Sequence, residues 1–411
     1  MKSDLDALMQ SHNLDALLVI GSGQHNPPMV YLTGGAHLNG AYLVKKRGEP
    51  PMLFSSPIER EEAARTGLET RDLGKYNLEQ LLRQADGDWV RASVVRLQQI
   101  FQEIGLISGR VAIYGHDDVG SAFAVFTALQ AAMPSLTVVG ELMDTLFLEA
   151  MSTKSPDEIE RIRRIGQITT AVVGQVANFL TSHRTRDQVL VKSDGAPLTV
   201  GEVKNQVRLW LAERGAESSE GPIFAIGRDA AVPHSMGQSA DLLRLGQTII
   251  FDIYPCEMGG GYFYDMTRTW CLGYATDQAL SLYEDVLAVY RQLTSELRLE
   301  AACSLYQQRA CELFSARGHP TIKENPQTLE GYVHGLGHGV GLYVHELPYF
   351  RMHFDARECL KANVVVTVEP GLYYPERGMG VRLEDTIWMR PDSKAEILAE
   401  YPLDLVLPMR G

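Results

Sequence analysis

The sequence contains no run of roughly 20 consecutive apolar residues, the length that a membrane-spanning helix needs. Lysine and arginine form no stripe, and the formal net charge is −13, so we do not expect a nucleic-acid-binding surface. Low-complexity segments and short-period repeats are absent as well, which argues against a repeat array. With 45% hydrophobic and 22% charged residues, the composition is that of an ordinary globular protein.

Cysteine is also scarce. The five cysteines are odd in number and scattered, and none belongs to a CxxC pair. That usage suits a reducing compartment, where disulfides rarely form. The N-terminal stretch that begins Met1-Lys2-Ser3-Asp4 lacks the apolar core of a secretory leader. We therefore expect a cytoplasmic protein.

The 411 residues leave room for two or three domains. Over residues 1–150, strand-like and helical patterns alternate, which predicts an α/β domain with its own core. The predicted strands are 16–20, 41–44, 52–54 and 111–114, and the predicted helices are 4–12, 57–66, 90–104 and 119–132.

A domain boundary is predicted just after residue 150. Ser155 is a suitable N-cap, Pro156 suits the first helical position, and Glu158 completes a capping box. These residues predict a helix that runs to about residue 180. We expect a second domain over residues 151–411.

In this second domain, two aspartates lie on the arms of a predicted β-hairpin. An apolar run at 248–251 leads into Asp252, and Asp265 follows a glycine triplet at 259–261. A hairpin can bring residues of its two arms onto one face of a sheet. Taken alone, the pair is also explained as two carboxylates that flank a turn.

Three histidines are interleaved with four glycines in the segment HGLGHGVGLYVH, from His334 to His345. Glycine at this density argues against a long helix and lets the backbone approach a ligand closely. The segment therefore predicts a non-helical binding site around His338. A single histidine in such a segment would more often be structural.

Two glutamates occupy strand positions. Glu369 ends a β-branched run at 364–368, which predicts a strand buried on both faces, and it precedes a Pro-Gly turn. Glu384 shares a predicted strand face with Arg382, because side chains alternate along a strand. A surface position for Glu369 and a surface ion pair for Glu384 are the alternatives for each motif alone.

The conjunction of these motifs is what predicts a site. Four carboxylates and one imidazole form an oxygen-rich ligand set that suits divalent first-row ions. Two such ions about 3.5–4 Å apart activate a bridging water and stabilise an oxyanion, which is hydrolase chemistry. The carboxylates favour Mn²⁺, whereas the general affinity order favours Co²⁺ or Zn²⁺, and Fe²⁺ is a further alternative. The predicted ligands are Asp252, Asp265, His338, Glu369 and Glu384.

These segments resemble the pita-bread metallopeptidases, the family of methionine aminopeptidase, aminopeptidase P and prolidase. The resemblance extends over roughly residues 151–395, and all five metal positions are filled. It implies an α+β pita-bread catalytic domain over residues 151–411. The segment at 31–35 more weakly resembles the α/β N-terminal domain of creatinase and prolidase, which methionine aminopeptidase typically lacks.

The resemblance also implies individual roles. Asp265 and Glu384 would bridge two metal ions, and Glu369 would double as the acid/base for the attacking water. His345 would contact the scissile peptide. Three histidines match the substrate pocket: His234, His334 and His345. Two further residues would hold a metal-binding aspartate in place: Tyr373 and Arg382.

The sequence departs from the family pattern in two places. The two aspartates are 13 residues apart (265 − 252 = 13), a longer spacing than most members show, so Cys256 or Glu257 is expected near the hairpin tip. Prolidases carry an arginine that receives the substrate's terminal carboxylate, and Asp355 lies roughly at that position here. Arg351 and Arg357 are the nearby substitutes, which weakens the prediction of a strict dipeptidase.

The favoured function is therefore a dinuclear-metal hydrolase that cleaves Xaa-Pro bonds in peptides, similar to aminopeptidase P or prolidase. The family resemblance implies a homodimer. One alternative is a creatinase-like, metal-dependent C–N hydrolase of a small non-peptide amide. A catalytically inactive binding module is the other, although its relatives have lost ligands that this sequence keeps. Aromatic residues that could line a proline pocket are Tyr262, Phe263 and Tyr343.

Overall fold

The computed structural model describes residues 4–353, 355 and 357–410. The chain divides into two compact units, one formed by Met1–Met151 with Gly259–Gly261 and the other by Ser152–Met258 with Tyr262–Gly411. Met1-Lys2-Ser3, part of the stretch predicted to lack a secretory leader, lies outside the described residues. Every helix in the described ranges is too short or too polar to span a membrane.

The first unit is built from a six-stranded sheet and seven α-helices among its described residues. Its strands are β1 (Ala16–Gly21), β2 (Ala41–Lys46), β3 (Met52–Ser55), β4 (Glu69–Asp72), β5 (Gly109–Gly115) and β6 (Leu136–Gly140). Its helices are α1 (Leu5–Ser11), α2 (Pro27–Thr33), α3 (Arg60–Arg65), α4 (Leu78–Gln84), α5 (Trp89–Glu103), α6 (Val119–Ala132) and α7 (Thr145–Met151).

The sheet of the first unit is mixed, with strand order β4-β3-β2-β1-β5-β6. The apolar strand β1 is central, antiparallel to β2 and parallel to β5. All four predicted strands and the helices α1, α3, α5 and α6 are confirmed within a few residues. Sequence patterns missed β4 because its side chains are exposed along the whole strand, so no apolar alternation marks it.

The second unit contains the remaining elements, and its helices are α8 (Pro156–Thr181), α9 (Val200–Ala212), α10 (Asp277–Glu296) and α11 (Cys303–Ser315). Its first strands are β7 (Arg184–Arg186), β8 (Val189–Val191), β9 (Ala216–Glu217), β10 (Ile223–Ile226), β11 (Thr248–Ile253), β12 (Cys256–Glu257) and β13 (Met266–Leu272). The others are β14 (His338–Gly339), β15 (Glu346–Tyr349), β16 (Val365–Val368), β17 (Gly371–Tyr374), β18 (Met379–Arg382), β19 (Asp385–Met389), β20 (Ala395–Ile397) and β21 (Val406–Leu407).

The candidate ligands lie on, or directly beside, the strands of two sheets of the second unit. One has the order β10-β11-β13-β21, and the other has the order β15-β14-β16-β19-β20. An isolated antiparallel bridge between Thr267 of β13 and Glu384 links the two sheets. Glu384 lies between β18 and β19, so the continuous strand predicted through Arg382 and Glu384 is interrupted there.

Helix α8 begins as the sequence predicts. The Ser155 side chain accepts a hydrogen bond from the backbone N–H of Glu158, whose side chain accepts one from the backbone N–H of Ser155. This capping box confirms the predicted helix start, and the helix ends at Thr181, one residue beyond the predicted end.

The predicted hairpin is confirmed, and its arms extend beyond the two main strands. β11 and β13 do pair in antiparallel fashion, with Asp252 opposite Thr267 and Asp265 one residue before β13. The connection is longer than a turn, because it contains β12, which pairs with β9. Beyond β12, residues 258–260 form a turn, and Cys256 bridges Phe263 in antiparallel fashion in the same register as β11 and β13. The glycine triplet therefore lies at the tip of the hairpin, as predicted.

The glycine-rich histidine segment is non-helical, as predicted, and two of its glycines are required by close backbone packing. A Cβ atom at Gly337 would lie 2.1 Å from the carbonyl oxygen of Thr367, and one at Gly339 would lie 2.1 Å from that of Leu347. These glycines therefore let β14 pack against neighbouring backbone. Gly335 and Gly337 also line the cavity described below, so the close approach to a ligand stays a prediction.

Candidate metal centre

One cavity of the second unit, with a volume of about 500 Å³, is lined by all five predicted ligands. Three of them, Asp265, His338 and Glu384, are buried and offer ligand atoms that all lie within 4.8 Å of one another. The Nε2 atom of His338 is 3.8 Å from Oδ2 of Asp265 and 3.3 Å from Oε1 of Glu369. The two sheets thus bring residues that are far apart in the chain to one point.

Asp252 reaches the cavity from β11 and is held there by Arg382. The Nη2 atom of Arg382 donates to Oδ2 of Asp252 at 2.6 Å, and its Nη1 atom donates to the Tyr373 hydroxyl at 2.8 Å. Nη1 also donates to the carbonyl oxygen of Pro233 at 3.2 Å. The guanidinium therefore fixes the orientation of the Asp252 carboxylate and ties the segment that carries His234 to the same point.

Two threonines hold Asp265 and Glu384. The Thr386 hydroxyl donates to the Asp265 carbonyl oxygen at 2.7 Å and accepts from the Asp265 N–H at 3.1 Å. The Thr267 hydroxyl donates to Oε2 of Glu384 at 2.7 Å. Asp265 is thereby held through its backbone, and Glu384 is held through Oε2. These bonds leave both carboxylate oxygens of Asp265 and Oε1 of Glu384 for the cluster.

The ionisation of the cluster depends on burial. Burial raises the pKa of Asp265 and of Glu384 well above the usual carboxyl value, and the neighbouring carboxylates raise both further. Burial also raises the pKa of Asp252, although the charge of Arg382 opposes that shift. For Glu369, burial alone would raise the pKa, but the hydrogen bond and positive charge of His338 lower it to about 2.

The donor set fits divalent ions. Oδ1 of Asp252 and Oδ1 of Asp265 are buried side-chain oxygens without a hydrogen-bond partner. A buried polar atom is costly unless it is satisfied, and a cation satisfies a carboxylate oxygen directly. Positive charge at this point would also offset the burial and repulsion that push Asp265 and Glu384 toward their protonated forms.

The three predicted pocket histidines all line this cavity. The His334 ring makes two hydrogen bonds. Nδ1 lies 2.7 Å from the Gly335 carbonyl oxygen, and Nε2 lies 2.8 Å from the Tyr373 hydroxyl. Because a carbonyl can only accept, Nδ1 carries the proton and Nε2 accepts from the Tyr373 hydroxyl. Burial lowers the pKa of His334, which agrees with a neutral ring.

His345 stands beside the cluster without being one of the five ligands. Its ring centroid is 4.2 Å from that of His338, and the planes are inclined by 62°. Burial, together with the neighbouring His338, lowers the pKa of His345 to about 4, so the ring is neutral at pH 7. The next residue, Glu346, is fully buried and forms an ion pair with the equally buried Lys154, which anchors the start of β15.

The aromatic residues proposed for the pocket are corrected by the structure. The described cavity wall carries Tyr254, Tyr349 and Phe350 instead of Tyr262, Phe263 or Tyr343. Tyr262 is buried, and its hydroxyl donates to Oε1 of Glu158 at 2.5 Å. The sequence alone does not show whether an aromatic side chain packs in the core or lines a cavity, so the packing of Tyr262 could not be predicted.

Neither residue expected near the hairpin tip lies in the cavity wall. Cys256 is buried in β12, opposite Glu217 of β9. The Glu257 carboxylate pairs with Arg161, with Oε2 2.6 Å from Nη2. The additional residues between the two aspartates thus lengthen the connection that contains β12, and they add no residue to the ligand set.

Of the two substitute arginines, only Arg351 lines the cavity. Its side chain is 46% exposed, and Nε lies 3.4 Å from Oε1 of Glu358. Arg357 instead pairs with Asp355, with Nη2 2.7 Å from Oδ2. The hydrogen bonds from Arg357 lower the pKa of Asp355 to about 2, so this pair is ionised outside the cavity.

The sequence matches the model of a known protein family. The model of metallopeptidase family M24 matches residues 160–391, more than half of the chain and a range that contains all five candidate ligands. The chain belongs to metallopeptidase family M24. The predicted metallopeptidase class is confirmed by this match, and the M24 region includes a buried cluster that can hold a divalent metal ion.

Individual M24 relatives have low sequence identity to this chain. The Xaa-Pro dipeptidase of Pyrococcus furiosus is 27% identical over 245 residues, which cover 60% of this chain and 62% of that protein. The aligned stretch thus spans less than two thirds of that relative's length. Its name describes that protein and not this one.

Solved structures resemble the chain over nearly its whole length. The prolidase from Pyrococcus horikoshii OT3 has 21% sequence identity and a TM-score of 0.72, and the alignment covers 98% of both chains. The X-Pro aminopeptidase from Thermotoga maritima MSB8 has 21% identity and a TM-score of 0.74, with 97% of this chain and 99% of that chain covered. These likenesses confirm the predicted pita-bread fold.

The buried cluster yields a prediction about stability. Glu384→Gln should stabilise the metal-free protein and weaken the metal-loaded protein. A carboxyl whose pKa is raised by folding makes the folded state lose stability as pH rises from the unfolded-state pKa, about 4.3, through the folded-state pKa. The glutamine amide keeps an oxygen for the Thr267 hydroxyl but carries no charge.

Urea unfolding of chelator-treated protein checks this prediction. At pH 8 the free energy of unfolding of Glu384→Gln should exceed that of wild type by about 1 kcal/mol or more, and the difference should shrink toward pH 4. Saturating Mn²⁺ should reverse the order, because a neutral amide is the weaker ligand. The exposed Glu376→Gln is the matched control, and the placement of Glu384 would be contradicted if both variants behaved alike.

Proposed function

We propose that this protein is a dinuclear-metal peptidase that cleaves Xaa-Pro peptide bonds, with residues 151–411 as its catalytic domain. The observation that carries the proposal is the convergence of four carboxylates and one imidazole on one cavity, where two buried carboxylate oxygens lack partners. The names of the relatives, Xaa-Pro dipeptidase and X-Pro aminopeptidase, support the choice of bond.

Two divalent ions would be held by the five candidate ligands, and the carboxylate-rich set favours Mn²⁺ over Co²⁺, Zn²⁺ or Fe²⁺. When bound, the ions would supply a water activated for attack and positive charge opposite the scissile carbonyl. Asp265 and Glu384 are proposed as the shared ligands, because the family resemblance implies that role and both belong to the buried cluster. The ligand residues are Asp252, Asp265, His338, Glu369 and Glu384.

Glu369 is the proposed acid/base. It leaves the end of β16 and enters the cavity with 17% of its side chain exposed, more than Asp265 or His338. Its backbone N–H donates to the Leu336 carbonyl oxygen at 2.8 Å, which fixes its position next to the histidine segment. A carboxylate placed in this way can take a proton from the attacking water and deliver it to the leaving nitrogen.

The histidines are proposed to hold the substrate. A neutral His345 offers one N–H donor to the scissile peptide oxygen, and His234 lies exposed at the cavity wall for the same substrate. A proline nitrogen carries no hydrogen, so the leaving residue must be recognised by its ring. Ile223, Met236 and Phe350 supply apolar wall for such a ring.

Substrate length is proposed to depend on Arg351. This guanidinium lines the cavity and can pair with the terminal carboxylate of a dipeptide. It is half exposed and lies close to Glu358, so part of its charge is already compensated. We therefore expect Xaa-Pro dipeptides and longer peptides to be cleaved without a strong preference.

The assembly and the compartment stay predictions. The homodimer rests on the family resemblance, and sedimentation equilibrium would test it. The cytoplasmic location rests on cysteine usage.

A cleavage assay tests the proposed function. Mn²⁺-loaded enzyme should release alanine from Ala-Pro and from Ala-Pro-Ala. Glu369→Gln should lower kcat by about 10²–10⁴-fold, because an amide cannot accept the proton of the attacking water. Glu376→Gln, a surface change seven positions further along the chain (376 − 369 = 7), should leave kcat unchanged.

Two results would contradict this proposal. Activity of Glu369→Gln within a few-fold of wild type would remove Glu369 as the acid/base. Failure of metal-loaded wild type to cleave either peptide, while it hydrolyses a small non-peptide amide, would replace the peptidase by a creatinase-like hydrolase.

Arg351→Gln tests the carboxylate contact. Its kcat/KM for Ala-Pro should fall about five-fold, because a half-exposed ion pair contributes at most about 1 kcal/mol. Its kcat/KM for Ala-Pro amide, which lacks the carboxylate, should not change. Arg357→Gln is the matched control, since that guanidinium is paired outside the cavity. Equal losses on both substrates would show that Arg351 does not pair with the terminal carboxylate.

A further inference from the structure

Arg268 is a buried arginine on β13, next to Thr267 and outside the cavity wall. We propose that Arg268, Asp385 and Tyr290 form a clamp that positions the Glu384 carboxylate. The clamp thereby sets the affinity of the five-ligand site for divalent metal ions. These three are positioning residues, because they act through Glu384 and Asp265 and do not face the substrate. The inference rests on the metal site of the proposed function.

The clamp is needed because the backbone around Glu384 is weakly held by the sheets. Glu384 lies between β18 and β19, and among the described residues its backbone pairs with that of Thr267 alone, through an isolated bridge. The two hydrogen bonds of that bridge are long, with Thr267 N to Glu384 O at 3.4 Å and Glu384 N to Thr267 O at 3.1 Å. Bonds of this length are at the weak end of the usual range.

Arg268 reinforces this bridge from the side. Its Nη1 atom donates to both carbonyl oxygens of the bridge, at 2.9 Å to Thr267 and 2.8 Å to Glu384. Nη2 donates at 2.8 Å to Oδ1 of Asp385, and two further bonds go to backbone carbonyls of residues 401 and 402. The five hydrogen bonds use all the donors of the guanidinium, so its orientation is fixed.

Asp385 makes the buried charge tolerable. The side chains of Arg268 and Asp385 are each only 2% exposed, and a buried charge without a partner is costly. The second oxygen of Asp385 accepts a short hydrogen bond from the Tyr290 hydroxyl on α10. Since Asp385 directly follows Glu384, this anchoring also restrains the backbone that carries the ligand.

The clamp connects to both central ligands. Fixing the Thr267 backbone fixes its hydroxyl, which donates to Oε2 of Glu384 at 2.7 Å. On the other side of Asp385, Thr386 exchanges two hydrogen bonds with the backbone of Asp265. A displacement of this short segment would move Glu384 and Asp265 relative to each other. Residues that orient metal ligands typically change metal affinity about 10–100-fold when they are substituted.

Titration of chelator-treated full-length protein with Mn²⁺ alone, followed by calorimetry, tests the clamp without substrate. Arg268→Lys keeps the charge but not the fork of donors, so Mn²⁺ affinity should fall about 10–100-fold. With Co²⁺ in place of Mn²⁺, its visible absorption bands should shift relative to wild type. Arg163→Lys is the matched control, because Arg163 forms a partly exposed ion pair with Glu396 in the same unit, and it should bind as wild type does.

Tyr290→Phe keeps the test valid if Arg268→Lys does not fold. Loss of that one hydroxyl should weaken Mn²⁺ binding about three- to ten-fold. Either variant that unfolds at lower temperature yet keeps wild-type Mn²⁺ affinity and Co²⁺ bands would overturn the clamp and leave the proposed function standing. Wild-type protein that binds no Mn²⁺ would overturn the proposed function itself, and the clamp with it.

Discussion

Mutual repulsion among buried carboxylates is the constraint on which this structure depends. Two like charges about 4 Å apart cost on the order of 4 kcal/mol at an effective dielectric of 20. Asp265 and Glu384 are both buried, and burial together with their neighbours raises the pKa of each. Among the described residues, Arg382 pairs with Asp252 and Arg268 with Asp385, so neither guanidinium forms an ion pair with these two.

The fold keeps these carboxylates together by distributing the ligands over two sheets. Asp252 lies on β11 and Asp265 directly precedes β13, while His338 lies on β14, Glu369 directly follows β16 and Glu384 directly precedes β19. The sheets are joined at the bridge between Thr267 and Glu384, where regular ladder bonding is interrupted. Side-chain hydrogen bonds from threonine and arginine replace that ladder, which explains why so many polar groups are buried around this point.

Much of the site could be predicted from the sequence, for physical reasons. Glu369 follows a β-branched run, and that run forms β16, buried along its length. The glycine density around His338 correctly argued against a helix. The capping box at Ser155 depends only on local spacing, so α8 was predicted almost to the residue. Motifs of this kind are contained within a few neighbouring residues.

What depends on tertiary contacts could not be predicted in the same way. The role of Arg268 is invisible in sequence, because its partners lie 116 to 134 positions further along the chain, apart from the adjacent Thr267. Tyr349 and Phe350 line the cavity but were not predicted to do so, because an aromatic residue type is equally compatible with a cavity wall and with the hydrophobic core. The strand predicted through Glu384 is interrupted, since the residue bridges to Thr267 from a gap between strands.

The account's central claim is that divalent ions compensate the carboxylate cluster. Anomalous X-ray diffraction at the manganese edge, from crystals of Mn²⁺-loaded protein, tests this claim most directly. We expect two anomalous peaks inside the cavity, in contact with the partnerless Oδ1 atoms of Asp252 and Asp265. No peak within the cavity, or a peak only at a surface carboxylate elsewhere, would contradict the account.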